Sequence, residues 1–405
     1  MINSTILDPS LWPLAEPKIS WARRFMPVTA RLSAELVRSE LIKDLRIGLS
    51  LVLEPKTAVL ALALQDAGAQ VRVHCHARST RDDVAAFLDH AGIAVWSRSD
   101  ATPEVDHELA LAFLDSGLDI LVDDGAAVTR LLHRERPELI TDMIGATEET
   151  TSGVRPLRAL QQAGGLRLPV VAANDARCKT LFDNAHGTGQ STLFTTLDLL
   201  DLTLTGRKVV VIGYGPVGQG VARHAAAFGA DVRVAELDPI AALQAEYDGY
   251  VTGSGTTLVT DAELVLSATG VRNTITIDHL QAMPDGCAVA VAGGVEQEIA
   301  LEDLSRVARP SPVDDRLVRW TFPDGHCVVV LDEGGCINCT AGEGNPIQIM
   351  DLSWGAQLGA ITHLAQNAGR LPSEVIGLPR PLDDRVAEIA LADRGRPPHH
   401  RVDPG

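Results

Sequence analysis

Three short segments of this chain gather side chains that can move protons and grip hydroxyls. Asp123-Asp124-Gly125 and Glu148-Glu149-Thr150-Thr151-Ser152-Gly153 set carboxylates at the ends of strand-like runs, and Asn174-Asp175 leads into Lys179-Thr-Leu-Phe-Asp183-Asn184. A lysine held among carboxylates can carry a proton, and paired acids accept hydrogen bonds from sugar hydroxyls. A fourth segment runs from the β-branched Lys208–Ile212 into Gly213-Tyr-Gly215-Pro-Val217-Gly218 and then a helical pattern. Gly213 permits a tight turn, Gly215 lets the backbone approach a pyrophosphate, and Gly218 lets the helix pack closely on the strand. Glu236 follows about 20 residues on, where an acid accepts from both ribose hydroxyls and repels a 2′-phosphate. The cofactor expected is therefore NAD. Taken singly, each acid also suits a solvated loop or a helix cap; their order relative to the glycine turn is what raises them.

The elements that must position these groups are legible as short apolar runs at Leu45–Leu53, Gln70–Cys75, Ile93–Trp96, Asp119–Val122, Pro169–Ala172, Lys208–Ile212, Asp231–Ala235, Leu264–Ala268, Ala288–Ala292 and Cys327–Leu331. Such runs alternating with helical patterns predict parallel βαβ sheets. The fold expected is α/β, with two Rossmann-like doubly wound domains. Ligands bind outside the carboxyl ends of such strands, so the acids and Lys179 should converge. A long helical stretch, Gly189–Leu202, interrupts the strand pattern and is the candidate hinge; Pro346–Gln366 is again helical.

With 405 residues, 45% hydrophobic, the chain is long enough for two or three cores, and its net charge of −18 disfavours a nucleic-acid partner. It has no apolar run of membrane-spanning length and no leader pattern, so a soluble cytoplasmic protein is expected. Six sparse cysteines fit reduced thiols. Cys336-Ile-Asn-Cys339 is a lone CxxC with no second pair at zinc spacing, and no metal is expected.

The ordered motifs resemble the S-adenosyl-L-homocysteine hydrolase family over about Trp21–Ala392. The likeness is carried by Val122-Asp-Asp-Gly, Glu148-Glu-Thr-Thr-Ser-Gly, Asn174-Asp, Lys179-Thr-Leu-Phe-Asp-Asn184, Gly213–Gly220 and Ala235-Glu-Leu-Asp-Pro-Ile-Ala-Ala-Leu-Gln-Ala. The resemblance implies a substrate domain at 1–186, an NAD-binding domain at 187–343, helices at 344–392 returning to the substrate domain, and a frayed tail at 393–405. It implies tightly bound NAD, transient oxidation of a nucleoside 3′-hydroxyl and a homo-oligomer, dimer or tetramer. Asp124, Glu149, Lys179 and Asp183 match the family's ribose and proton-transfer positions. Thr150, Thr151, Ser152, Asn184, Glu236, Thr269 and Asn338 match positions that touch NAD.

The departures bear on single steps. A family histidine, threonine and glutamate near the substrate are here Val52, Glu54 and Lys56; a second histidine aligns with Gly294 in Val291-Ala-Gly-Gly294, and a third with Asn345 before Pro346. Glu54, Lys56 and Asn345 become the candidate substrate contacts. His186, where the family usually has an aromatic residue, is the candidate replacement acid or base. Lys56 offers only donors, which suit an oxo group or ring nitrogen rather than an amino group. The family's Lys- and Tyr-bearing tail has no counterpart in His399–Gly405, which implies looser NAD. The first expectation is therefore oxidation, elimination and re-reduction that stops before water adds, a nucleoside dehydration. That reaction resembles the hydrolase-like dehydratase of the angustmycin antibiotic pathway. The alternatives are an S-adenosylhomocysteine hydrolase and a non-catalytic NAD-binding regulator.

Overall fold

The computed structural model describes residues 4–293 and 297–396. The strands among them are β1 Arg46–Ser50, β2 Gln70–His74, β3 Ala94–Trp96, β4 Ile120–Asp123, β5 Gly145–Glu148, β6 Val170–Ala172, β7 Lys208–Ile212 and β8 Asp231–Ala235, then β9 Val251–Thr252, β10 Leu264–Ser267, β11 Cys287–Val291, β12 Arg309–Pro312, β13 Leu317–Thr321, β14 Cys327–Leu331 and β15 Val375–Gly377. They form two sheets in two compact units, Met1–Thr180 with Ile347–Gly405, and Leu181–Pro346. The α/β class with two doubly wound sheets is as the pattern of apolar runs predicts.

The first sheet has the order β15-β6-β5-β4-β1-β2-β3, all parallel. Successive residues of a strand point to opposite faces, so both faces need cover. In β4, Ile120 and Val122 join a core with Trp354, Leu358 and Ile361, while Leu121 joins Phe113, Leu132 and Leu157 on the other side. The helix Ile347–Gln366 supplies the first of these covers and is buried over most of its length. The chain order reverses between β1 and β4, and this opens a crevice at their carboxyl ends.

The second sheet, β12-β13-β14-β11-β10-β7-β8-β9, is parallel except for β13, which is antiparallel to both β12 and β14. Val209 and Val211 pack with Val221 and Ala225 on one face; Val210 and Ile212 pack with Leu280 and Leu304 on the other. Its order reverses between β7 and β10.

One expectation is corrected. Gly189–Leu202 is not a hinge between the units: it lies inside the second unit, as the helix Thr188–Leu200. The compact units change over at Thr180/Leu181 and Pro346/Ile347, six and three residues from the expected 186/187 and 343/344. At the first of these points Thr180–Gly187 is wound as a π-helix that continues into Thr188–Leu200, so no glycine or proline loop marks the change there. The expected tail falls largely on 397–405, outside the described residues. Among the described residues no helix is long and apolar enough to cross a membrane.

Candidate active site and nucleotide fold

The crevice of the first sheet is lined by the turns at the carboxyl ends of β1, β4 and β5. Beyond β1 the chain turns at Val52 into the helix Pro55–Asp66. That helix starts with proline, whose missing N–H costs nothing at a helix's first position. Glu54 caps it, accepting from the Lys56 backbone N–H at 2.9 Å, and also pairs with the Lys56 ammonium at 2.8 Å. Both side chains are buried, and the Trp354 indole N–H donates to the Lys56 carbonyl at 2.9 Å. The two expected substrate contacts are thus paired with each other, and Glu54 sets a carboxylate beside the lysine, so this corner offers an acceptor as well as donors.

Asp124 and Glu149 ride on the turns after β4 and β5, which lie side by side with Asp123 opposite Glu148. The motifs do not single out Glu148, yet it organises both turns. Its carboxylate accepts from the backbone N–H of Gly125 at 2.9 Å, Ala126 at 2.9 Å and Thr150 at 3.0 Å. A Cβ on Gly153 would lie 2.2 Å from its Oε1, which explains the glycine of the Thr-Ser-Gly run. Asp123 caps the next helix, accepting from Thr129 N–H and Oγ1, both at 2.7 Å. Both acids are fully buried.

Burial raises both carboxyls, helped by the Asp124 charge at Asp123 and by the Asp123 and Asp124 charges at Glu148: Asp123 goes from 3.8 to about 6, and Glu148 lies well above 4.5. A raised carboxyl holds its proton in the folded state after the unfolded chain has released it. Stability contributed here therefore falls as pH rises from about 4 to about 6. Urea unfolding of Asp123→Asn should lack this part of the slope. The wild type should lose up to roughly 1.4 kcal/mol per pH unit against the variant within that window.

Lys179 is 4% exposed, and its ammonium lies 3.1 Å from Glu149 Oε1. Its position follows from the short turn after β6: Asn174 is buried, and its side-chain oxygen accepts from Thr151 Oγ1 at 3.0 Å. The Arg177 and Cys178 N–H groups donate to the buried Asp383 at 2.8 and 3.0 Å. The first unit thus brings Lys179, Glu149 and the half-buried Asp124 to one set of turns, as expected from the motifs. Ser152 Oγ is buried there without a hydrogen-bond partner.

In the second unit, Asp183 and Asn184 are buried. Asn345, expected as a substrate contact, has its side chain engaged within the unit. Its amide nitrogen donates to Asp183 Oδ1 and, at 3.1 Å, to Thr188 Oγ1, while its oxygen accepts from Ser191 Oγ at 2.7 Å and Asn338 Nδ2 at 3.1 Å. It thus grips Asp183, one of the expected acids. His186 does not join Asp183: it is exposed, 3.4 Å from the Arg223 guanidinium, and burial together with that cation lowers its pKa. Gly294 lies outside the described residues.

The crevice of the second sheet carries the glycine turn. Gly213 has φ 97°, and a Cβ there would meet the Ala268 carbonyl at 2.9 Å; a Cβ on Gly218 would lie 1.9 Å from the Gly213 oxygen. Above Gly215 nothing lies within 4 Å, leaving room for a ligand to reach the backbone at the start of the helix Pro216–Ala227. Val217 is in that first turn. Glu236 accepts from the N–H groups of Tyr214 at 2.6 Å, Leu237 at 2.6 Å and Asp238 at 2.9 Å, which fixes its carboxylate beside the turn. After β10, Thr269 donates through Oγ1 to the buried Glu298 at 2.8 Å. Glu298 also takes the Ser267 hydroxyl at 2.6 Å and the Gly270 N–H at 2.9 Å. No spacing motif announces Glu298; the glycine at 293, where a Cβ would lie 1.6 Å from its Oε1, is its one trace in the sequence. A strand, a glycine turn open above Gly215 and a fixed acid suit a pyrophosphate and an adenosine ribose.

Residues 184–344 match the model of the S-adenosyl-L-homocysteine hydrolase NAD-binding domain, and residues 3–140 match that of S-adenosyl-L-homocysteine hydrolase. The adenosylhomocysteinase of Thermococcus kodakarensis is 39% identical over 395 residues, covering 96% of this chain and 93% of that one. The S-inosyl-L-homocysteine hydrolase of Methanopyrus kandleri is 39% identical over 394 residues, with the same coverage of 96% and 93%. The adenosylhomocysteinase of Thermotoga maritima is 37% identical over 382 residues, covering 94% and 95%. The second unit is accordingly an NAD-binding domain, and the chain belongs to the S-adenosyl-L-homocysteine hydrolase family.

Proposed function

We propose that this chain is an NAD-dependent hydrolase of a purine nucleoside thioether of the S-adenosyl- or S-inosylhomocysteine type, working through transient oxidation of the ribose 3′-hydroxyl. The observation that carries this reading is the buried Lys179–Glu149 ion pair on the turns of the first unit, in a chain of this family. Bound NAD supplies a hydride acceptor that later returns the hydride. Within the second unit the Gly213–Gly218 turn, Glu236, Thr269, Asn338 and Asn184 would hold it.

Lys179 and Glu149 move a proton as a pair. Transfer from Nζ to Oε1 leaves an amine able to take the proton of the 3′-hydroxyl. Asp124, fixed through Glu148, accepts a hydrogen bond from the sugar. The ketone formed at C3′ acidifies the hydrogen on C4′, so a base can remove it and the 5′-substituent leaves. Water then adds at C5′, and reduction of the ketone restores the sugar. At the base, Lys56 donates to a 6-oxo group, and the adjoining Glu54 can take a 6-amino group, so both purines are candidates.

A second reading, elimination that stops before water adds, is favoured by one observation. Val52 and Asn345 stand where the resemblance places histidines, and neither can exchange a proton at C5′. The protein with NAD is incubated with S-adenosylhomocysteine, S-inosylhomocysteine, adenosine and psicofuranine, and products are identified by mass. Free homocysteine is the expected result. A product lighter by one water, with no homocysteine, supports the second reading. No reaction and no change in nicotinamide absorbance with any of them would leave the NAD-binding regulator.

Cofactor choice gives an independent prediction. Glu236→Ala should narrow the preference for NAD over NADP by at least about tenfold, or ~1.4 kcal/mol, measured by titration of each dinucleotide.

A further inference from the structure

The Cys336-Ile-Asn-Cys339 segment is left unused by the chemistry above. Both cysteines are half-buried and thus reachable, their sulfurs are 3.9 Å apart, and Cys336 Sγ donates to the side-chain oxygen of Asn338 at 3.1 Å. Cys336 immediately precedes the single turn Ile337–Thr340 and Cys339 lies within it, with Asn338 between them. No group of three His, Cys, Asp or Glu side chains able to hold a metal ion occurs among the described residues. Asn338 is 2% exposed, and its amide continues the chain of hydrogen bonds to Asn345, from there to Asp183 and Thr188, with Ser191 donating to the same Asn345 oxygen.

We infer that Cys336 and Cys339 form a reversible disulfide that controls how Asp183 is held. Closing the bond brings the sulfurs from 3.9 Å to about 2.05 Å and removes the thiol hydrogen that Cys336 gives to Asn338. The turn tightens around Asn338, and the Asn338–Asn345 link is released. In the exchange, one cysteine thiolate attacks a glutathione-type disulfide and expels one thiol; the second cysteine then displaces the other. Two electrons and two protons pass to the two released thiols, so the step balances with that oxidant alone. Only its effect on turnover rests on Asp183 taking the ribose or proton-transfer position that the family resemblance implies.

The test treats the full-length protein with NAD in buffers of graded reduced and oxidised glutathione. Loss of two hydrogen atoms is followed by mass, and amide hydrogen exchange is followed over residues 183–191. Expected are a disulfide mapped to Cys336–Cys339, at least tenfold faster exchange in that segment, and a matching fall in nucleoside turnover reversed by dithiothreitol. Cys339→Ser should keep the reduced protein's exchange and turnover under oxidant. A failure to form this disulfide, or a disulfide that leaves exchange at 183–191 unchanged, overturns the inference. Because exchange needs no substrate, the result stands whichever nucleoside reading holds.

Discussion

Lys179→Ala should lower the rate of nicotinamide reduction by about 10²–10⁴-fold, the range over which a positioned acid or base acts. The structure gives the reason: Lys179 is 4% exposed and 3.1 Å from Glu149, so bulk water has little access to replace its nitrogen. The substitution also leaves Glu149 buried without its cation, and breaking a buried pair costs about 3–5 kcal/mol. Chemistry and folding must therefore be separated. Thermal unfolding and NAD titration of the variant, alongside stopped-flow absorbance, do so: a folded, NAD-loaded variant that fails to reduce its nicotinamide locates the loss in proton transfer. Lys179→Arg keeps the ion pair but cannot give up its proton, so it should retain stability and still lose the reaction.

Glu148→Leu is expected to be the most damaging change to the first unit that touches no proposed substrate contact. It strands the N–H groups of Gly125, Ala126 and Thr150, each costing about 1–3 kcal/mol when buried without an acceptor. Many domains have little more to lose. Glu148→Gln is the informative companion. One amide oxygen can still serve Gly125 and Thr150, which share Oε1, so only Ala126 loses its acceptor. Urea unfolding should show a loss of about 1–3 kcal/mol for the glutamine and several times that for the leucine. Turnover should fall with the leucine even at temperatures where the variant stays folded, because Asp124 and Glu149 ride on the turns that Glu148 ties together.

The features legible in the residues alone are those that local sequence determines. Buried parallel strands are continuous apolar runs, so β1, β4, β7 and β10 stand out. The glycines of the nucleotide turn stand out because only glycine survives at 1.9 Å from a carbonyl, as at Gly218. Strands β12 and β13 carry no such signal, because Arg309–Pro312 is exposed throughout and β13 pairs on the polar edge of the sheet. The sequence does not show which way His186 faces, for a geometric reason. Three residues apart on an α-helix share a face, but Thr180–Gly187 is wound with i→i+5 bonding, which turns His186 off the face of Asp183 and toward Arg223. Glu148 and Glu298 stay hidden since their partners are backbone N–H groups and hydroxyls, all but the Thr150 N–H more than 20 residues away in sequence, which leave no spacing motif. Asn345, expected as a substrate contact, has contacts that reach back to 183, 188 and 191, a span that no pattern in the sequence reveals.

The claim on which all of this depends is oxidation at the ribose 3′-hydroxyl. It is tested most directly by stopped-flow absorbance of the NAD-loaded protein, mixed with S-adenosylhomocysteine or S-inosylhomocysteine and, in parallel, with the 3′-deoxy analogue of each. Reduced nicotinamide should appear and decay with at least one parent nucleoside, and should be absent with its 3′-deoxy analogue. An equal signal from the 3′-deoxy compound, or none from either parent in a protein shown to hold NAD, would contradict the account.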